Sequence, residues 1–229
     1  MSLAHHPSIV RNGLVLYLDA GNRKSYPTTG TVWTDLTKNK ANGTLTNSPT
    51  YSTSNNGYLI FNGSNQYIVN SDYSQLAFGT GNYTIDGWIN FNQIKDGSIL
   101  MTPDSNLSVS QNVYWWFGYN ASQLRFGQHF TANGVFCTWT PSTGVWYNIA
   151  ATRTSGTTAL YINGISQSVT NPTIFNATSW SQRGYAIARI NGTPTYTNGY
   201  IASVKVYNMG LTASQILQNY NATKSRYGY

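Results

Sequence analysis

Apolar and aromatic runs of five to eight residues recur along this chain of 229 residues, separated by clusters of Gly, Asn, Ser, Thr and Pro. Runs of that length suit strands, and the clusters between them are turn formers. "GLVLYLDAG" closes on Asp-Ala-Gly, while "GYLIFNG" and "QYIVN" flank the turn "NGSN" as a hairpin. In "NYTIDGWINF" Tyr83, Ile85, Gly87, Ile89 and Phe91 fall on one face, and Thr84, Asp86, Trp88 and Asn90 on the other. "NVYWWFGY", "NGVFCTW", "VWYNIAATR", "TALYING" and "GYIASVKVY" continue the pattern. Many short strands at near-regular spacing predict an all-β, two-sheet antiparallel sandwich. One stretch breaks the rhythm. Thr212–Tyr220 reads as a helix, with Thr212 as N-cap and Gln215 completing a capping box. Ile216, Leu217 and Tyr220 are expected on its buried face. So short a helix does not hold alone and must dock on the sandwich.

A chain this long buries roughly 70–75% of its unfolded surface, so no disulfide or metal is needed for stability. The single cysteine, Cys137, lies beside Val135, Phe136 and Trp139 and reads as a small core residue. All six acids are aspartates, and there is no glutamate. Residues 1–104 balance six basic side chains against those six acids, so the formal charge of +7 resides after residue 104. Those cations look dispersed. They suggest a mildly basic surface meeting an acidic neighbour or an anionic polymer, rather than a nucleic-acid groove. The start, "MSLAHHPSIVRNG", lacks a basic segment followed by an apolar run, and no stretch of 18 apolar residues occurs. Neither a secretory signal nor membrane insertion is therefore expected. Residues 1–12 are expected to form an N-terminal arm, and 13–229 one domain. The long polar segment Ala20–Asn56 is expected to wrap an edge or line a site.

The end of the chain is the most specific part. Gly199, Ile201, Val204, Lys205, Val206, Tyr207 and Asn208, followed by Leu211 and Thr212, fit the closing strand and helix of laminin-G-like domains. "VWYNIAATRTSGTTALYING", "GLVLYLDAGN", "GYLIFNGSNQYI" and "YTIDGWINF" resemble other strands of that family, in the right order. The chain thus resembles the laminin-G-like jelly rolls of the concanavalin A-like lectin class. The resemblance implies a jelly roll whose short final helix caps the open end of the layers. "PSIVRNGLVLYLDAGN" and "LQNYNATKSRYG" further resemble a variant found in tailed-phage virion proteins. That implies a capsid-surface or tail-fibre component, made in a host cytoplasm and carried on the virion surface. Its partners would be other virion proteins or further copies of itself, with host-surface polysaccharide as a ligand and no specific nucleic acid. The other reading is a free-standing secreted lectin.

The same class contains glucanases, whose chemistry needs two carboxyls flanking the scissile bond. No strand here carries a closely spaced Asp pair, and no nucleophile elbow or phosphate loop is present. His129 is the one histidine beyond the N-terminal arm. A non-catalytic protein is expected. Sugar binding asks less, namely aromatic faces and hydrogen-bonding groups. "VYWWFGY" puts Tyr114 and Trp116 on one face, Trp115 and Phe117 on the other, so one tryptophan should face away from the core. Trp88, Trp115, Trp116 and Asp86 are the candidate contacts for a glycan or a partner. Ligand contact, subunit interface and plain packing all remain open for them.

Where the family often has acids, this chain has Asn62, Asn65, Gln66, Ala202, Ser203 and Gln215. No cofactor is expected. Asp19 or Asp35 with backbone carbonyls is the remaining calcium candidate, because calcium wants several hard oxygen ligands. Melting curves recorded with excess chelator and with added calcium should coincide. A rise of many degrees on adding calcium would instead place a site at Asp19 or Asp35.

Overall fold

The computed structural model describes residues 7–71, 78–79, 81–103, 115–128, 134–172, 184–190 and 195–229. Two antiparallel sheets face each other. The first runs in the order β14 (Ile165–Ser166), β13 (Thr157–Ile162), β12 (Trp146–Thr154), β7 (Tyr83–Phe91), β18 (Asn198–Tyr207), β5 (Tyr58–Asn62), β4 (Thr50–Ser52). β1 (Leu14–Asp19) also pairs with β18, beyond the end of β5. The second sheet runs β11 (Gly134–Thr138), β10 (Gln123–Gln128), β9 (Trp115–Asn120), β8 (Ser98–Thr102), β15 (Tyr185–Ile187), β6 (Tyr67–Asn70), β3 (Gly43–Thr46), β2 (Val32–Trp33). A small ribbon joins β16 (Arg189–Ile190) to β17 (Thr195–Tyr196). This is the two-sheet sandwich that the strand spacing predicts, and the jelly roll that the family resemblance implies. One helix, α1 (Ala213–Asn221), follows β18.

The core between the sheets takes the alternate residues that the sequence pattern assigns to it. Leu16, Leu18, Ile85, Ile89, Val204 and Val206 meet Leu100, Trp115, Phe117 and Phe126 in one cluster. Cys137 belongs to this core, where burial pushes its thiol pKa up. A raised pKa leaves little thiolate and a poor nucleophile.

β7 is buried along both faces, and its outer face explains the terminal helix. Thr212 Oγ1 accepts the Gln215 amide at 3.3 Å, and the Thr212 amide donates to Gln215 Oε1 at 2.9 Å, so the capping box forms. The helix does not cap the open end of the layers. It lies on the outer face of the first sheet, where Ile216 packs with Ala150, Tyr161, Tyr207 and Leu211. Tyr220 and Tyr227 cover Trp88, with ring centroids 5.7 and 4.0 Å away. The expected helix stripe also needs correction. Leu217 is 43% exposed, and Asn219 is fully buried in its place. Positions i, i+3 and i+4 share a face, whereas i+1 is turned by ~100°.

Asn219 is buried because an ion pair lies beneath it. Lys205 on β18 and Asp86 on β7 are both fully buried, with Nζ and Oδ1 2.9 Å apart. Asn148 Nδ2 of β12 also donates to Asp86 Oδ1, at 2.8 Å. Asn219 Nδ2 donates to Asp86 Oδ2 at 2.9 Å and to Tyr207 Oη at 3.0 Å. Tyr207 Oη donates onward to the Val10 carbonyl, and the Val10 amide donates to Asn219 Oδ1. Val10, in the stretch expected as an arm, is thereby hydrogen-bonded to α1 and β18.

Removing one charge of a buried pair strands the other. Lys205→Met should cost ~3–5 kcal/mol in urea unfolding. The double variant Asp86→Asn/Lys205→Met should lose clearly less than the two single losses added together. Additive losses would mean that the pair acts as two independent packing residues.

Candidate functional site

The four tryptophan and aspartate candidates do not come together. Trp88 and Asp86 are fully buried on the outer face of the first sheet, under the C-terminal segment. Trp115 points into the core. Trp116 lies across the second sheet from Trp115, as the alternation requires, but it is only 6% exposed. It packs with Ile99 and Ile190, beside the Arg125 guanidinium at 5.8 Å. Gly127 leaves room for its indole, since a Cβ there would lie 2.8 Å from the ring. The expected solvent-facing tryptophan is therefore covered, with Ile99 and Arg125 on the adjacent strands and Ile190 on the small ribbon packed about it. Tyr114 and His129 lie outside the described residues.

A cleft has formed elsewhere. Tyr17 and Asp19, two residues apart on β1, turn to the outer face of the first sheet while Leu16 and Leu18 enter the core. Arg226, from the single turn Lys224–Tyr227 after α1, reaches back over that face. Its two terminal nitrogens each donate to one Asp19 oxygen at 3.0 Å. Such a two-point pair fixes direction as well as distance. Tyr17 Oη donates to Asp19 Oδ2 at 2.9 Å, and the Gly21 amide donates to Oδ1. Gly21 must lack a Cβ, which would collide with Arg226 Nη2. Pro7–Ile9 and Leu36–Lys38 wall this floor, enclosing about 710 Å³. That is an ordinary volume for a small-molecule pocket. Leu14 and Leu36 supply apolar lining, and Asn22, Thr37 and Thr223 supply polar groups.

Asp19 and Asp35 do not resemble open cation ligands. Each oxygen of Asp19 accepts two hydrogen bonds from Tyr17, Gly21 and Arg226. Asp35 Oδ1 accepts from the Tyr17 and Thr37 amides, and Oδ2 from Thr37 Oγ1 and the Ala41 amide. Among the described residues, no three His, Cys, Asp or Glu side chains converge as a metal cluster would require. Asn62, where the family often has Asp, still accepts from the Ser64, Asn65 and Gln66 amides. An amide oxygen thus serves this turn without a charge.

The charge distribution differs from the expected one. Asp19, Asp35 and Asp86 are buried, whereas Arg11, Arg23, Lys24, Lys38 and Lys40 are exposed. After residue 104, Lys205 and Arg226 are spent on Asp86 and Asp19, and Arg125, Arg153, Arg189 and Lys224 are at least partly buried. The exposed cations among the described residues therefore all lie between residues 11 and 40. Chain order had placed the excess in the other half. The pattern "LVLYLD", with two polar groups in an apolar strand, was a usable signal for Tyr17 and Asp19. Nothing local pointed to Arg226, 207 positions away.

The model of the concanavalin A-like lectin/glucanases superfamily matches residues 61–217. The chain belongs to that superfamily. No curated protein sequence matches it. Solved structures share the fold at low identity. Domain 4 of AbnA, a GH43 extracellular arabinanase from Geobacillus stearothermophilus, in complex with arabinotriose, is 17% identical with a TM-score of 0.69, covering 90% of this chain and 97% of that one. Trypanosoma rangeli sialidase, in complex with 2,3-difluorosialic acid, is 18% identical with a TM-score of 0.67, covering 95% of this chain and 34% of the sialidase. A third structure, from work on the dependence of botulinum neurotoxin type C cell entry on two ganglioside molecules, is 14% identical with a TM-score of 0.66. The match covers 92% of this chain and 51% of that one. The superfamily holds binding modules and hydrolases alike, so membership leaves the chemistry to the side chains.

Burial raises the phenol pKa values of Tyr17, Tyr83, Tyr207 and Tyr227, and the Asp19 charge adds to the effect at Tyr17. A raised folded-state pKa leaves stability whole below the unfolded value of roughly 10 and erodes it above. Each such tyrosine should cost ~1.4 kcal/mol per pH unit in that range. Unfolding measured between about pH 8 and about pH 11.5 should show constant stability, then a steep fall beyond about pH 10. A flat profile would mean that these phenols ionise freely in the folded protein.

Proposed function

We propose that this protein is a non-catalytic structural or adhesion component of a phage particle, on the capsid surface or in a tail fibre, that presents a glycan-binding jelly roll. The observation that carries the non-catalytic part is the state of the acids. Asp19, Asp35 and Asp86 each accept three or more hydrogen bonds and are tied to structural partners. A hydrolase needs one carboxyl free to give a proton and another free to attack or to activate water. Carbohydrate binding is supported by the superfamily and by fold neighbours solved with arabinotriose or studied with gangliosides. The virion setting is supported by the phage-like sequence at both ends. Those two stretches meet in space, where Gln218 Nε2 donates to the Ser8 carbonyl and Arg226 pairs with Asp19. Other virion proteins or further copies, and host-surface polysaccharide, are the partners that this reading assigns.

A free-standing carbohydrate-binding module is the second reading. It is supported by the likeness in fold to the arabinanase domain solved with arabinotriose. Antibodies against the domain should decorate particles released by the cells that make it, and the purified protein should bind glycans on an array without cleaving them. Undecorated particles together with glycan binding would select the second reading. Turnover of a bound oligosaccharide would overturn the non-catalytic assignment.

A further inference from the structure

Arg226 is shared by two adjoining depressions. It lines the cleft of about 710 Å³ and a smaller hollow of about 350 Å³ that also holds Arg23. On its far side the cleft adjoins a third depression, of about 460 Å³, and Arg11, Leu14 and Lys38 line both. The cleft is therefore the middle of a row of three. Arg11 and Lys38 are exposed, and among the described residues neither side chain is in an ion pair or hydrogen bond. Asp19, the acid on the row, is already neutralised by Arg226.

We propose that this row binds a linear acidic polysaccharide, its rings seated in the depressions and its carboxylate or sulfate groups held by Arg11 and Lys38. The inference rests on the glycan-binding reading above and names the ligand class for the same cleft. Adjoining hollows suit a chain of rings better than one small molecule. Apolar Leu14 and Leu36 beside Thr37 and Asn22 suit the mixed faces of a sugar ring. Two exposed cations where hollows adjoin favour negative charge on the ligand, and they steer it from a distance set by salt. Single-stranded nucleic acid calls for aromatic platforms along its track. Tyr17 and Tyr51 are the aromatic residues on this row, and the Tyr51 ring already packs against Tyr26 at 5.4 Å.

The test is calorimetric titration of the full chain with polygalacturonate, alginate, dextran sulfate, neutral dextran and single-stranded DNA. Three proteins are compared: the wild type, Arg11→Gln/Lys38→Gln, and Lys24→Gln/Lys40→Gln. The last removes the same charge from exposed side chains that line none of the three depressions. The wild type should bind at least one acidic polymer and ignore dextran, and the responding polymer identifies the acid group as carboxylate or sulfate. Arg11→Gln/Lys38→Gln should weaken binding about tenfold or more, and the control about threefold or less. Equal losses in the two variants, or tighter binding of DNA, would overturn the proposed row. Binding of neutral glycans alone would overturn the acidic class and leave the glycan-binding reading standing. Failure to bind any saccharide would remove both.

Discussion

The buried pair of Lys205 and Asp86 organises the outer face of the first sheet. Two charges without water must be held by polar partners, or the fold loses several kcal/mol. The partners here come from four places. β7 and β18 bring the charges, β12 brings Asn148, α1 brings Asn219, and Tyr207 passes the network to the backbone at Val10. An apolar helix stripe would tolerate small slides across the sheet. An amide that must reach both Asp86 and Tyr207 does not, so the network sets the position of the helix where packing alone would leave it loose.

That register has a consequence far from the ion pair. Fixing α1 also fixes the turn after it, and with it the reach of Arg226 to Asp19. Tyr220 and Tyr227 close over Trp88, and the Trp88 indole donates to Thr223 Oγ1 at 2.9 Å. The C-terminal segment is thus anchored twice before Arg226 enters the cleft. A cleft built on such rigid supports has little order left to lose.

The same arrangement commits Asp19, Asp35 and Asp86 to hydrogen bonds within the fold. These three of the described acids are buried and held by their donors. Asp96, the exposed one among the described acids, accepts the Ala121 amide at 2.7 Å. A jelly roll is a scaffold for many chemistries, and here Asp19 and Asp86 hold the C-terminal segment to the first sheet.

Strand periodicity, the capping box at Thr212 and Gln215, and the two faces of β7 were readable in the sequence, because each depends on neighbours a few residues apart. Cys137 in the core followed from the same local pattern. Leu217 was misplaced because a short helix has several possible stripes, and the buried ion pair, invisible in the local sequence, selected the one through Asn219. Trp116 faces away from the core as alternation required, but its covering by Ile99, Ile190 and Arg125 depends on strand neighbours that periodicity does not name. The charge balance shows the division most clearly. Composition determined the total of +7. Only the tertiary structure decided which charges reach water, because it buries Asp19, Asp35 and Asp86 and leaves the cations of residues 11–40 exposed. Local interactions act along the chain and can be read from it. The cleft joins residues some two hundred positions apart, and only packing brings those together.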